Sequence, residues 1–465
     1  MPTSALADAE PLPRTPEEAA ASRLAQLITC RTVSSRDPDD LDPSEFARFR
    51  RLLAELYPLV HAALEFEQVN GGGLLYRWAG RAGSSGPAAP PAPIVLMAHY
   101  DVVPVEDEDT WEHPPFAGVI DGGYIHGRGA LDDKGALAAI LEAVEALLQE
   151  GFVPERDVYL SFGDNEETAG DTAAAIAETL AVRGVRPWLV LDEGGAVAAQ
   201  AFPFVNRPVA VVGVSEKGIL DVELSVEDPG GHASTPSRRG ATSRLARAVV
   251  RLDNRPFPAS LHPVTLEMLG RLSTGASLLP RLLFARAGNL RRPLTRVFGA
   301  LGGEPNALTR TTVAVTRLQG SKASNVLATR ASATANIRIA PGESIGSVLD
   351  RLRRTIRDRK VSLRVIEGTE PSPVSSTTNP QFALLEEVIG EIFPDAITAP
   401  YIMLGGTDSR RFTTICGAVY RFAPFRMDKA ARASIHADNE KLAVKSFGEG
   451  ILFYRRLLQG LGTEA

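Results

Sequence analysis

Cysteine is nearly absent: Cys30 and Cys416 are the two in a chain of 465 residues. They exclude a disulfide framework and a cysteine-based zinc site, and a buried thiol is the expectation for each. Long apolar runs are missing as well. The most apolar helical stretch, residues 136–148, carries Glu142 and Glu145, and it falls short of the roughly 20 apolar residues that a bilayer span requires. Positive charge is not in excess either. Fifty lysines and arginines stand against 56 acidic residues, and a net charge of -6 excludes a general attraction to nucleic acid or anionic membrane. The opening residues, MPTSALADAEPLPRTPEEAAASR, have no basic start followed by an apolar core. No signal peptide is read there, and the expected location is the cytoplasm.

What is present is a hydrophobic content of 44%, enough for a large core divided over two or more domains. One stretch, PIVLMAHYDVVP at residues 93–104, organises the rest. Residues 94–97 form an apolar, β-branched run of the kind buried on both faces of a sheet. His99 comes next at the carboxyl end of that strand, where open α/β sheets bind ligands. Asp101 projects to the same side and can accept the second ring N–H, fixing the tautomer. The pair describes a metal ligand with its supporting carboxylate, or equally a strand-end histidine capped by a neighbouring aspartate.

Around this stretch strands and helices alternate. Residues 1 to about 15 read as disordered. Thr15 with Glu17 and Glu18 opens a helix, and a second helix begins after Ser44. A strand with Leu74, Leu75 and Tyr76 runs into a Gly/Pro/Ala/Ser-rich loop at 80–93. GRGALDDKG then sets Asp132 and Asp133 at the N-terminus of a helix over 134–149. Val158, Leu160 and Phe162 mark a strand that ends in GDNEE, a helix covers 173–182, and an apolar strand at 188–191 ends in Asp192 and Glu193. The alternation predicts an α/β fold with a doubly wound, mostly parallel sheet, and His99, Glu166, Glu167 and Asp192 should converge on one edge of it.

After about residue 214 the pattern changes to a strand at 219–226, a helix at 241–252, strands at 312–318 and 332–339, a helix at 344–357 and a strand at 361–366. This β-α-β-β-α-β order predicts an inserted ferredoxin-like domain. Residues 1–213 and 373–465 are then the two parts of a catalytic domain, and 214–372 the insert. Residues 263–310 do not fit the six-element order. Arg271, Arg281, Arg286, Arg291, Arg292 and Arg296 are interleaved there with leucines, and no acidic residue lies between Glu267 and Glu304. Such a stretch can lie on an anionic membrane surface; the expectation is instead a solvated helical elaboration packed on its own domain.

Zinc takes histidine nitrogen and carboxylate oxygen, and catalytic sites leave a position open for water. The candidates are His99, Asp132, Glu167, Asp192 and His436. Of seven histidines, His99, His232 and His436 have Gly- or Asp-flanked contexts suited to a site, whereas His61, His113, His126 and His262 read as surface or loop residues. Each candidate also has an ordinary reading: a solvated acidic loop at Glu166 and Glu167, an N-cap at Asp132 and Asp133, a loop residue at His436. In order along the chain, however, HYDVVP, WEHPPFAG, GRGALDDKG, DNEETAG, LDEGG, GGHASTP, GGTDSRRF and IHADNE resemble the dinuclear zinc peptidase and amidohydrolase family of glutamate carboxypeptidase, aminoacylase, acetylornithine deacetylase and succinyl-diaminopimelate desuccinylase. The likeness is closest to its carboxypeptidase S-like branch.

The resemblance implies two zinc ions per subunit, although cobalt or manganese would suit similar ligands. It makes His99, Asp132 and Asp192 ligands of one ion and Asp132, Glu167 and His436 ligands of the other. Asp132 is the bridge, its bond to Asp133 is cis, and Glu193 is a competing ligand beside Asp192. Glu166 becomes the general acid/base that takes the water proton and delivers it to the leaving amine. His232, supplied by the partner subunit of a homodimer formed through the inserted domain, stabilises the oxyanion, while Asn325, Arg338 and Gly406 bind the substrate carboxylate. The implied reaction is hydrolysis of a peptide or N-acyl amide bond next to a free carboxylate, in dipeptides or N-acyl amino acids, by a hydroxide shared between the metals. The alternatives are a narrow biosynthetic deacylase of the acetylornithine or succinyl-diaminopimelate type and a non-catalytic metal-binding dimer. Glu166 beside the full ligand set argues against the last, since a pure binder needs no proton shuttle.

Overall fold

The computed structural model describes residues 15–81, 91–202 and 204–461. The start expected to be disordered, through residue 14, and residues 82–90 of the Gly/Pro-rich loop lie outside the described residues. Contacts gather the chain into two compact units, one made of residues up to Thr179 and from Pro424 onward, the other of Leu180–Ala423.

In the first unit the strands run in the order Glu65–Val69, Gly73–Trp78, Val158–Gly163, Ile94–His99. The first two form a hairpin turned by Asn70 and Gly71, both at positive φ, the backbone that Asn-Gly adopts most readily. Ile94–His99 pairs in parallel with Val158–Gly163, and the register sets His99 opposite Gly163. Both strands are wholly buried, and the loops that leave them emerge at the same end. A separate three-stranded sheet joins Val119–Asp121, Tyr124–His126 and Lys441–Ala443, which draws the late IHADNE segment back to the GRGALDDKG turn.

The longer helices of this unit, Pro16–Ile28, Pro43–Leu56, Lys134–Gln149 and Val444–Gly460, pack among themselves. The first begins with a capping box between Thr15 and Glu18 and has Pro16 in its first turn. Lys134–Gln149 is buried on nearly every side, so its carboxylates require partners. Glu142 receives Arg23 at 2.6 and 2.5 Å and the Tyr57 hydroxyl at 3.0 Å. Glu145 accepts the Leu59 and Val60 amides at the start of the Pro58–Ala63 helix. At Gly135 a Cβ would lie 2.2 Å from the Ala130 carbonyl oxygen, so the close return of the turn onto the helix start requires glycine.

In the second unit Leu189–Asp192 pairs in parallel with Val419–Arg421, and Val209–Glu216 pairs in parallel with Ile397–Met403. A four-stranded antiparallel sheet runs in the order Thr312–Gln319, Arg330–Ile339, Gly218–Glu227, Ser362–Thr369. Its core is Leu220, Val222, Leu224, Ala333, Ala335 and Ile337, covered by Val348 and Leu352 of Ile345–Ile356 and by Leu245 and Ala248 of Ala241–Asp253. This is the expected β-α-β-β-α-β set. The α/β class and the ferredoxin-like element are both as the sequence predicts.

The basic stretch departs from expectation. It forms helices Pro263–Leu272, Leu278–Phe284 and Arg291–Leu301, but these do not pack on the four-stranded sheet. Met268, Leu269, Leu272 and Leu294 bury instead against Val209, Ile397, Ala399 and Tyr401 of the parallel strand pair. Helical periodicity shows that such a stretch has an apolar face; it carries no information about which sheet supplies the partner.

Candidate metal centre

The site in the first unit is built on two buried carboxylates that are not themselves in the cluster of candidate ligands. Asp101, fully buried, lies two residues past the end of the Ile94–His99 strand. Its Oδ2 accepts the Ser34 hydroxyl at 2.6 Å and the Glu167 amide at 3.1 Å, and its Oδ1 accepts the Glu166 amide at 3.1 Å. The sequence predicts that the His99 ring donates to this carboxylate. Its Nδ1 lies 3.3 Å from Oδ1 but 3.0 Å from the Asp101 backbone carbonyl, which is the nearer acceptor. Residue 101 therefore orients the imidazole mainly through its backbone, while its carboxylate ties down the 166–167 turn.

The second such carboxylate is Glu440, also fully buried. Its Oε1 accepts the Leu131 and Asp132 amides at 2.7 and 3.1 Å, and its Oε2 accepts Arg128 Nη1 at 2.9 Å and the Gly129 amide at 3.1 Å. The rest of IHADNE is fixed in the same way. The Ala437 carbonyl accepts from Arg128, Asp438 from the Thr110 hydroxyl, and the Asn439 side chain from the Glu112 amide. His436 and Asn439 both have φ near +60°, a backbone uncommon outside glycine.

Between these anchors four side chains meet. His99 Nε2 is 3.0 Å from Asp132 Oδ1, and His436 Nε2 is 2.9 Å from Asp132 Oδ2. Each oxygen of one carboxylate thus faces a different imidazole. His436 Nε2 also lies 3.1 Å from Glu167 Oε2, and His99, Asp132 and Glu167 offer ligand atoms all within 4.8 Å of one another. The Asp132–Asp133 peptide is cis. Asp133 turns away from the cluster and accepts the His99 amide at 3.3 Å.

The charges explain the cohesion of this group. Burial opposes a charge on His99, yet the Asp101 and Asp132 carboxylates win and raise its pKa well above the ordinary value. Hydrogen bonds donated to Asp132, then to Glu167, push His436 up to about 10. Burial raises Glu167, whereas at Asp132 burial is outweighed by the two imidazoles, which lower it. Both imidazoles are thus drawn toward the charged form by the carboxylates they face. A divalent cation neutralises the same carboxylates while leaving both imidazoles as neutral nitrogen donors, so the donor set fits such an ion.

The remaining candidates lie in the second unit, in two groups. Asp192 ends its strand buried and accepts the Ser409 amide at 2.8 Å. Behind it Glu216, also buried, accepts the Thr407 amide and hydroxyl at 3.0 and 2.8 Å and Arg421 at 2.8 Å through one oxygen, while Arg410 Nε forms an ion pair at 3.3 Å with the other. At Gly406 a Cβ would meet Arg410 Nη1 at 2.8 Å and Ile219 Cδ1 at 3.5 Å, and Ile219 pairs with Arg338 across the sheet. Arg338 has no hydrogen-bond partner among the described residues. The other group is His232 with Asn325: the Asn325 carbonyl accepts the Ala233 amide at 3.0 Å, and His232 Nδ1 accepts the Ser234 amide at 3.1 Å. Both side chains are exposed.

Sequence reasoning did not single out Glu440, Glu216, Arg410 or Ser34. The first and third lie inside motifs it quoted, yet nothing local signals that Glu440 is buried or that Arg410 grips Glu216. His61, His113, His126 and His262 stand outside the cluster: His61 bonds Tyr76, His126 packs edge-on against His113, and His262 caps the Pro263–Leu272 helix.

One carboxylate shared by His99, at the end of a parallel strand, and His436, from a late loop, makes a candidate metal centre. The chain belongs to peptidase family M20/M25/M40, whose sequence pattern matches residues 95–460. It is 37% identical over 449 residues to probable carboxypeptidase S-like 2 of Dictyostelium discoideum, covering 94% of this chain and 84% of that one. It is 35% identical over 375 residues to the human N-fatty-acyl-amino acid synthase/hydrolase PM20D1, covering 80% of this chain and 74% of that protein. In fold it matches the M20 family metallo-carboxypeptidase Sso-CP2 of Sulfolobus solfataricus at a TM-score of 0.70 and 17% identity, over 95% of this chain and 98% of that one.

Glu440→Ala should strand four buried donors and loosen Asp132. Outer partners of this kind support metal affinity by about 10–100-fold, and a competition titration against a chromophoric chelator should show a loss of that size, smaller in Glu440→Gln.

Proposed function

We propose that the chain hydrolyses a peptide or N-acyl amide bond adjacent to a free carboxylate, acting on dipeptides or N-acyl amino acids. One observation carries this reading: Asp132 presents one oxygen to His99 and the other to His436, which is what a carboxylate shared by two cations must do. The proposed ligands are His99, Asp132, Glu167 and His436, with Asp192 as the further carboxylate that the family resemblance adds in preference to Glu193. The proposed metal is zinc, two ions per subunit, since imidazole nitrogen and carboxylate oxygen are its usual donors outside thiolate sites. When bound, such ions activate water at neutral pH and polarise the scissile carbonyl.

The chain's own residues supply the rest. Glu166 is adjacent to a ligand, but its backbone is held separately by Asp101, which supports its assignment as the group that takes a proton from water and returns it to the leaving amine. Arg338 supplies a partly buried guanidinium, suited to bidentate capture of the substrate carboxylate, with Gly406 and Asn325 beside it in the assignment. Residues 214–372 are assigned as a lid and dimerisation domain, through which His232 of one subunit stabilises the oxyanion formed at the other. Its exposure supports a role outside its own fold. Cytoplasmic residence belongs to the same proposal and is supported by two buried, unpaired cysteines. The names of the relatives support both peptide and N-acyl substrates.

Metal-loaded protein should hydrolyse N-acyl amino acids or dipeptides and act at least about 10²-fold more slowly on the same compounds with the carboxylate amidated, because a site built to pair a polar group rejects the analogue that lacks it. Equal rates would remove Arg338 from its role. Glu166→Gln should keep its metal and lose about 10²–10⁴ in turnover; loss of metal instead would make Glu166 a ligand.

Mixing inactive Glu166→Gln chains with inactive His232→Ala chains should restore activity, since one site of each mixed dimer keeps both groups. Absence of recovery after demonstrated subunit exchange would place His232 in its own subunit's site or outside the chemistry.

A further inference from the structure

The basic helices pack one face on the parallel strands Val209–Glu216 and Ile397–Met403 and leave an apolar face uncovered. Leu278 is 78% exposed and Leu301 66%, and Leu279, Leu282, Leu283 and Val297 are exposed with them. These are six large aliphatic side chains on two short helices, more than scattered surface apolar residues account for. Arg281, Arg286, Arg292 and Arg296 stand exposed among them with no carboxylate partner among the described residues. A groove of about 780 Å³ beside Arg291–Leu301 is lined by Arg291, Arg292, Arg296 and Arg310. The two glutamates that bracket the stretch are already engaged, Glu267 with Arg271 and Thr377, Glu304 with the Tyr401 hydroxyl.

We infer that this face docks on an anionic phospholipid surface. Leucines inserted at the level of the acyl boundary, with arginines reaching back to the phosphates, are the arrangement by which surface helices bind membranes. Charge complementarity selects this occupant. A second copy of the chain would face the same patch across a two-fold axis, setting unpaired arginines against unpaired arginines. The whole molecule carries net charge -6, so attraction to an anionic surface has to come from local basic patches, and this is the one that pairs its arginines with exposed leucines. The inference does not depend on which bond the enzyme cleaves.

The test is cosedimentation of the full chain with phosphatidylcholine vesicles, with and without phosphatidylglycerol. The bound fraction should be at least tenfold higher on the anionic vesicles and fall to the neutral-vesicle level in about 0.5 M salt, where exposed charges are screened. Leu278→Asp with Leu282→Asp should abolish binding, and Arg292→Gln with Arg296→Gln should weaken it several-fold. All four side chains are exposed, so both variants should keep the wild-type melting temperature and hydrolytic rate. Equal binding to both vesicle types, or undiminished binding of both double variants, overturns the inference. So does a leucine variant that dissociates a dimer in light scattering while wild type ignores vesicles, since the face would then be an interface between copies.

Discussion

Asp101, one of two buried carboxylates behind the candidate cluster, fixes the half of its geometry that follows the parallel strands. Asp101 takes donors from Ser34, Glu166 and Glu167 and sits two residues beyond His99. Parallel pairing already brings the ends of the two strands level, with His99 opposite Gly163, but pairing stops at the strand ends and the candidate ligands lie beyond it. Asp101 extends the order past that point. A buried carboxylate left without donors, or amides left without an acceptor, costs on the order of 1–3 kcal/mol per group, so the turn at 166–167 has one arrangement in which all of them are satisfied. Glu440 constrains the other half of the cluster in the same way, joining the 128–132 turn to the segment that carries His436.

Much of this arrangement is legible in the sequence, for a physical reason. Apolar runs ending abruptly in polar residues mark buried strands and their exits, which places His99 and the 164–167 loop at one edge of the sheet, while the choice of Glu167 as a ligand comes from the family resemblance. The helix expected over 134–149 is the helix observed, Lys134–Gln149. Period-two alternation at Val158, Leu160 and Phe162 suggests a strand with one buried face, yet Tyr159 and Ser161 are buried as well; strands buried on both faces tolerate any residue whose polar atoms are satisfied. Long-range partnership is the part that cannot be read. The basic helices pack on strands more than 100 residues away along the chain at Ile397 and Ala399, and Glu440 finds its donors in the 128–132 turn. Such pairings depend on how sheets and loops close, which no local periodicity records.

Glu166 and Glu167 illustrate how adjacent identical residues acquire different chemistry. Their amides bond to opposite oxygens of Asp101, so the backbone between them is held in one orientation and the two side chains must leave it in different directions. Glu167 goes to His436, and burial raises its pKa, a cost that a cation would remove. Glu166 is not among the residues whose ligand atoms crowd together around Asp132. A carboxylate bound to a metal is a poor proton acceptor because its lone pairs are engaged; one held a residue away keeps them. Placing the proposed ligand and the proposed base side by side in sequence and anchoring both amides to the same aspartate fixes their separation without requiring either to contact the other. The same anchoring means that the backbone of 166–167 cannot shift without displacing both carboxylates together.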